Sequence, residues 1–415
     1  MFLLVGVSVR ALMESAGESG YPVQGIDFFA DLDSCRWGKT MSLKNDFGLA
    51  PSVELLLEVA QNLPCEGLVY TSGPENYSAG LKFWEERGLL FGNKVDVLDQ
   101  VRDPWKLKQA LAEIGAVMPE FHLVKDWDPD TQGKIMLIKP LDGGGGRGVR
   151  VLPLPKEKDT AQGLISSLQE PARYIVQDYI SGIPASVTFL ADGQRTEVLG
   201  TSRQLTIRQG ANNFIYAGNI VPLDTSLISG ASGTLDVFEE TLWRICSHLS
   251  TVFRLRGINT LDFVINSKGI WVLEVNPRWS ASVELIEVWR GERLFARHLA
   301  ACRASQRSLL LDRYEGRLNQ NQNRPGFWGK RIVYAESSFQ VGCGWELSYL
   351  YEQGVRDIPV AGTKIERGEP ICTVLSTVAA ASDAACLRKL QLKAGWVRRF
   401  LGDVKSSTFK SRKKQ

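Results

Sequence analysis

The segment 258–276, Ile-Asn-Thr-Leu-Asp-Phe-Val-Ile-Asn-Ser-Lys-Gly-Ile-Trp-Val-Leu-Glu-Val-Asn, constrains this chain more than any other. Two apolar runs, Ile258–Asn266 and Ile270–Val275, flank Ser267-Lys268-Gly269, which predicts a hairpin with a three-residue loop and its glycine in the left-handed position. With that loop Asn266 pairs with Ile270, so Asp262 stands opposite Glu274. The two-residue period of a strand then adds Asn276 to the same face and leaves Leu261, Phe263, Leu273 and Val275 on the other. Carboxylates directly opposite one another destabilise a sheet unless a cation sits between them. Oxygen-only ligands favour Mg²⁺ or Mn²⁺, and Mg²⁺ is commonly held by few carboxylates together with nucleotide phosphates. The expectation is therefore a metal site at Asp262, Glu274 and Asn276. The competing reading, a solvated polar face, is weakened by the apolar surroundings and by the Asn276-Pro277-Arg278 turn that follows.

The second constraint is Gly143-Gly144-Gly145-Gly146-Arg147-Gly148. It satisfies G-x-G-x-x-G, but Val149-Arg150-Val151 alternates like a strand where a dinucleotide fingerprint needs a helix, and the Lys-Ser/Thr of a P-loop is missing. What remains is a strand, a glycine lid and a strand, whose bare amides can approach phosphate oxygens closely. Lys139, at the end of the preceding apolar strand, adds a point charge for the same phosphates. A plain hairpin needs no run of four glycines.

The opening reads as strand Phe2–Val7, helix from Arg10 to Ala16 and strand Val23–Phe28, a βαβ start that implies a parallel sheet. A strand at Gly67–Thr71 and flanking helices complete a first domain, 1–100. A helix capped by Asp103, with Pro104 at its first position, opens the next domain. Strands are expected at Ile135–Lys139, Val149–Leu152, Tyr174–Tyr179, Ala185–Leu190 and Glu197–Arg203, followed by a helix Leu235–Arg254. In that helix Val237, Leu242, Ile245, Leu249 and Val252 form one core-facing stripe. After helices from Val283 and at Leu294–Ala301, residues 315–328 read as a polar connection. A last β-rich unit, 329–392, ends in the helix Ala381–Leu390.

No run approaches the roughly 18 apolar residues of a membrane helix. The apolar start lacks the basic residues of a secretory signal, so the expected location is cytoplasmic. The seven cysteines include no C-x-x-C pair and the three histidines are far apart, which argues against zinc. The net charge is +3, but residues 397–415 hold seven Lys/Arg and one Asp, a net +6, leaving −3 for the rest. The basic segment 393–415 reads as a disordered tail, with no specific nucleic acid and no membrane as partner.

Lys139 with its glycine lid, Gln177-Asp178-Tyr179-Ile180, and Leu261-Asp262-Phe263 followed by Leu273-Glu274-Val275-Asn276-Pro277-Arg278 together resemble the ATP-grasp superfamily. The nearest group is the ATP-grasp carboligases related to biotin carboxylase, found in archaea and methylotrophic bacteria. The resemblance implies a mixed α/β and α+β chain of known arrangement. It has an N-terminal βαβ, Rossmann-like domain (1–100), a first grasp lobe with the glycine lid (101–172), a second lobe with the metal site (173–314) and a small C-terminal β-rich domain (329–392). It assigns ATP phosphates to Lys139, Gly143, Gly144, Gly145, Gly146 and Gly148, and adenine to the hinge Gln177, Asp178, Tyr179 and Ile180. Mg²⁺ (or Mn²⁺) goes to Asp262, Glu274 and Asn276, while Arg278, with Lys139, is placed on the transferred phosphoryl group.

Two positions depart from the pattern. Many members carry Asp-Lys at the first grasp helix, where the lysine meets the α-phosphate; here Pro104 follows Asp103, and Lys106 is the candidate substitute. Gln177 stands for the commoner Glu. The implied activity is ATP-dependent ligation: a carboxylate becomes an acyl phosphate that an amine or similar nucleophile attacks, with no covalent side-chain nucleophile. Relatives suggest cofactor biosynthesis, a pterin or furan carrier with a glutamyl-type addition. Alternatives are carboxyphosphate formation from bicarbonate and a non-catalytic ATP-binding regulator. The expected partners are ATP and small carboxylate and amine substrates, with a homodimer left open. Ser8, Arg10 and the loop 71–77 are the expected substrate contacts.

Overall fold

A computed structural model describes residues 1–127, 134–152, 163–228, 235–303, 325–342 and 347–407. The first four strands, β1 (Phe2–Val5), β2 (Val23–Asp27), β3 (Gly38–Ser42) and β4 (Gly67–Tyr70), form a parallel sheet of order β3-β2-β1-β4. Burial throughout β1 and β4 explains their unbroken apolar runs, β2 is buried as well, and the helix Arg10–Glu18 makes the first crossover. The expected βαβ start is therefore present; β3 is additional.

A second sheet has the order β5-β8-β6-β7, from β5 (Phe121–Leu123), β6 (Met136–Pro140), β7 (Arg150–Val151) and β8 (Tyr174–Asp178). All its pairings are antiparallel. Because β8 lies between β5 and β6, a boundary at residue 172 cuts through this sheet. The antiparallel sheet extends to Asp178.

The third sheet has eight strands in the order β13-β12-β9-β10-β11-β14-β18-β16. Its members are β9 (Ile183–Asp192), β10 (Thr196–Gln209), β11 (Asn212–Val221), β12 (Arg256–Asn266), β13 (Gly269–Asn276), β14 (Trp328–Tyr334), β16 (Val355–Arg356) and β18 (Pro370–Leu375). The short strands β15 (Phe339–Gln340) and β17 (Lys364–Ile365) pair separately. The C-terminal segment thus shares its main sheet with the second lobe: Gly218 to Val221 of β11 pair with Trp328 to Arg331 of β14.

The helix Leu235–Phe253 packs on this sheet through Leu242, Ile245, Cys246, Leu249 and Phe253. Val237 and Val252, expected in its apolar stripe, are 58% and 43% exposed; the buried face turns through Cys246 instead. The C-terminal helix runs from Asp383 to Ser407, so the expected stop at Leu390 and the disordered reading of 393–407 are corrected. Leu390, Ala394 and Val397 are buried against the last strands, which explains the continuation past Leu390. The expected connection lies mostly outside the described residues, as does the end of the basic tail. No described helix is long and apolar enough to cross a membrane, and the six described cysteines are free.

Candidate active site

Asp262 pairs with Glu274, but the hairpin achieves this differently from the expectation. Asn266 pairs with Gly269, so the turn is two residues, Ser267-Lys268. Phe263 pairs with Val272, and a bulge then leaves Leu273 as the spare residue before Asp262 meets Glu274. In a regular β13, Glu274 would fall opposite Leu261 on the core face. The two-residue turn puts Val272, opposite Phe263, in the core in place of Leu273, together with Leu261 and Val275.

Side chains then close around the acid pair. Asp262 accepts from Gln204 Nε2 at 2.9 Å and from Asn276 Nδ2 at 3.0 Å. Glu274 accepts from Lys139 Nζ at 2.5 Å, which ties the metal-side hairpin to the end of β6. Arg278 donates to Asn276 Oδ1 at 3.1 Å and to Glu75 Oε1 at 2.5 Å. Glu75 belongs to the loop expected to face substrate, so the carboxyl end of β4 does reach this site. Tyr70 and Asn93 fix the same turn by donating to the Pro277 carbonyl at 3.1 and 3.0 Å.

Burial, with Glu274 opposite, pushes the Asp262 carboxyl up to about 7. Burial would also raise Glu274, but Lys139 and Arg102 outweigh it and hold that carboxyl down to about 2. Burial opposes charge on Arg278, yet Glu75 keeps the guanidinium above its ordinary range.

The glycine loop is seated on β11. Tyr216 N donates to the Gly145 carbonyl at 2.9 Å, and Gly148 N donates to Asn212 Oδ1 at 3.0 Å. Gly145, Gly146 and Gly148 all have positive φ, and a Cβ on Gly146 would meet the Phe214 carbonyl oxygen at 1.8 Å. Positive φ favours glycine at all three positions, and at Gly146 close backbone approach requires it as well. Gly143 receives a 3.2 Å hydrogen bond on its carbonyl from Arg102, while a Cβ on Gly144 would meet nothing within 4 Å among the described residues.

At the hinge, Gln177 is buried in β8, and Tyr179 N donates to the Ile135 carbonyl at 2.9 Å. The Tyr179 ring stacks on Phe214 with centroids 6.0 Å apart, and Ile180 lies next to it at the start of the following turn. Asp178 is engaged by Lys134 at 2.9 Å.

Lys106 is exposed, and its described contact is its backbone N–H on the Asp103 cap. Arg102 is the basic residue that enters the site: it bonds Asn76 at 2.8 Å and the lid at Gly143, and its charge acts on Glu274. Sequence reading missed Arg102, Gln204 and Phe214, and reached Glu75 only as part of the loop 71–77. The last follows from not recognising β11, although Gly210, with φ 56°, marks the hairpin turn before it. Ser8 accepts on its carbonyl from Thr71, and Arg10 is buried against Glu284 rather than open to substrate.

Two carboxylates and an amide oxygen on facing strands suit a hard divalent cation, which would replace the Lys139 and Asn276 contacts that now satisfy the acids. Among the described residues no three acidic, His or Cys side chains converge, and Asn276 is the amide that stands beside the acid pair.

This combination of an antiparallel lobe with a glycine lid, facing a sheet with an acidic hairpin, is the ATP-grasp fold. Residues 101–282 match the ATP-grasp domain. It is 21% identical over 387 residues to an uncharacterized protein of Methanocaldococcus jannaschii, spanning 90% of this chain and 87% of that one. A carbamoyl phosphate synthase large chain of Thermotoga is 21% identical over 242 residues, spanning 57% of this chain but only 21% of that longer protein. Among solved structures, the biotin carboxylase domain of Hydrogenobacter thermophilus 2-oxoglutarate carboxylase has a TM-score of 0.64 at 16% identity, over 94% of this chain and 88% of that one. The L-amino acid ligase of Bacillus licheniformis has a TM-score of 0.61 at 15% identity, over 94% and 97%.

Proposed function

We propose that the protein is a Mg-ATP-dependent ligase that activates a carboxylate as an acyl phosphate for attack by an amine or similar nucleophile. The observation that carries this reading is the meeting of Lys139, from the lid lobe, with Glu274 of the acid pair, and of Arg278 with the same turn. Lys139 and Arg102 bring positive charge to the phosphate side of the site, and Arg278 holds charge beside Asn276 for the oxygens that become negative as the phosphoryl group transfers. The acyl phosphate forms when a substrate carboxylate oxygen attacks the γ-phosphorus and ADP leaves; the nucleophile then displaces inorganic phosphate. Divalent metal at Asp262, Glu274 and Asn276 would neutralise phosphate charge. The lid glycines exclude water by closing on β11, while Tyr179, Phe214 and Ile180 offer the apolar surface for adenine.

Solved structures of like fold include a biotin carboxylase domain described with MgADP and bicarbonate and an amino acid ligase. The second reading is therefore carboxyphosphate formation from bicarbonate. ADP release should be measured across carboxylate and amine pairs and with bicarbonate alone. Release that requires a carboxylate and rises with an amine is the expected result; release with bicarbonate alone overturns the ligase reading.

A further inference from the structure

β2 ends on Asp27, the loop leaving it carries Asp31 and Asp33, and the turn after β16 brings in Asp357. Three of these four carboxylates are satisfied. Asp27 accepts the N–H groups of Val9, Phe29 and Ala30 at 3.0, 2.9 and 2.7 Å. Asp33 accepts those of Asp357 and Ile358 at 2.9 and 2.8 Å. Asp357 accepts from Arg10 Nε at 3.0 Å.

Asp31 differs. It is 5% exposed and, among the described residues, its carboxylate has no hydrogen bond or ion pair, yet it lies within the fields of Asp357, Asp27 and Asp33. Arg10 offsets part of that field but is already shared among Glu14, Asp33, Glu284 and Asp357. A buried carboxylate among three others stays ionised only with a further cation against it. The Ser34 hydroxyl, fully buried in the same loop, is also without a partner among the described residues.

The cluster lies at the same edge of the first sheet as the Glu75 loop that reaches Arg278. β1, β2 and β4 are parallel, so their carboxyl ends share one edge of the first sheet, where ligands of open parallel sheets bind. The β4 end supplies Glu75 to Arg278, and the β2 end supplies the aspartates. Between them Arg10 and Lys330 grip Glu284, and Tyr216 lies within the fields of both Glu284 and Asp262.

We propose that Asp31, with Asp33 and Asp357 beside it, recognises an organic cation, an ammonium or guanidinium group carried by the acceptor substrate. The word acceptor rests on the ligase reading; the cation site does not. A metal ion fits less well, because among the described residues Asp31, Asp33 and Asp357 do not converge as a three-acid ligand set, whereas an ammonium or guanidinium spreads several donors over wider distances.

The test is isothermal titration of the full chain, without nucleotide, using L-arginine against its uncharged isostere L-citrulline, and L-lysine against L-norleucine. The expected result is that a cationic probe binds at least about tenfold more tightly than its neutral partner, and that Asp31→Asn removes the difference. Equal binding of charged and neutral probes, no binding of either cation, or an undiminished preference in Asp31→Asn would overturn the assignment. The wild-type comparison decides even if the variant does not fold. Since nucleotide is absent, failure here leaves the ligase reading standing, and failure to bind Mg-ATP would strike that reading without touching this one.

Discussion

At the scale of single residues, the site is a set of charges held in opposition until a ligand arrives. Asp262 is raised to about 7, so the folded protein holds a proton there that the unfolded chain has released by about pH 4. Stability from this group therefore falls as pH rises from about 4 to about 7. Glu274, lowered to about 2, acts in the opposite sense, stabilising above the ordinary carboxylate range and losing that contribution as pH falls toward 2. Because a metal must displace the Asp262 proton, Mg²⁺ without nucleotide should raise the melting temperature at pH 8 and leave it unchanged at pH 5. A shift of equal size at both values would contradict the metal assignment. Glu274→Gln should bring ADP release to background while the melting curve stays cooperative. Arg102→Met should raise the KM for ATP by about tenfold, with Lys106→Met close to wild type; the reverse order would restore Lys106 as the phosphate contact.

At the scale of elements, the lid and the hairpin show what the sequence made legible. The four glycines pointed to close approach, and the structure supplies its object, the backbone of β11 at Phe214. Gly146→Ala, which places a methyl group in that carbonyl at positive φ, should raise the KM for ATP by at least about tenfold, while Gly144→Ala should not. Steady-state kinetics of the two variants distinguishes a seated lid from a merely flexible one. Strands with strong apolar runs, such as β1, β4 and β12, were readable because burial dictates their composition. β11 was not, since Asn212, Asn213 and Asn219 are polar for reasons visible only once their partners in the lid and on Ser202 are known. The acid pair was readable from its spacing, but the turn length was not. Turn and bulge trade one residue, and the sequence between Asp262 and Glu274 is the same length either way.

At the scale of the molecule, the third sheet joins what composition divided. The chain after residue 324 looks like an appended domain, yet β14, β18 and β16 extend the sheet that carries the metal-side hairpin. Arg10 and Lys330, far apart in sequence, meet on Glu284, so the first sheet and the C-terminal strands are tied to the same helix Val283–Arg290. Truncation after residue 303 should therefore leave the edge of β11 unpaired and give insoluble protein, where a detachable domain would leave a soluble remainder. Solubility and far-ultraviolet circular dichroism of the truncated chain report the outcome.

The spare residue Leu273 lies between the acid pair and the hairpin tip, and four cross-strand pairs from Phe263 to Asn266 separate the bulge from the exposed Ser267-Lys268 turn. The tip is thus mechanically insulated from the chemistry. A fluorophore or affinity handle inserted between Ser267 and Lys268 would ride on the second lobe as a passive reporter, giving lid closure an optical readout without altering the charges it closes over.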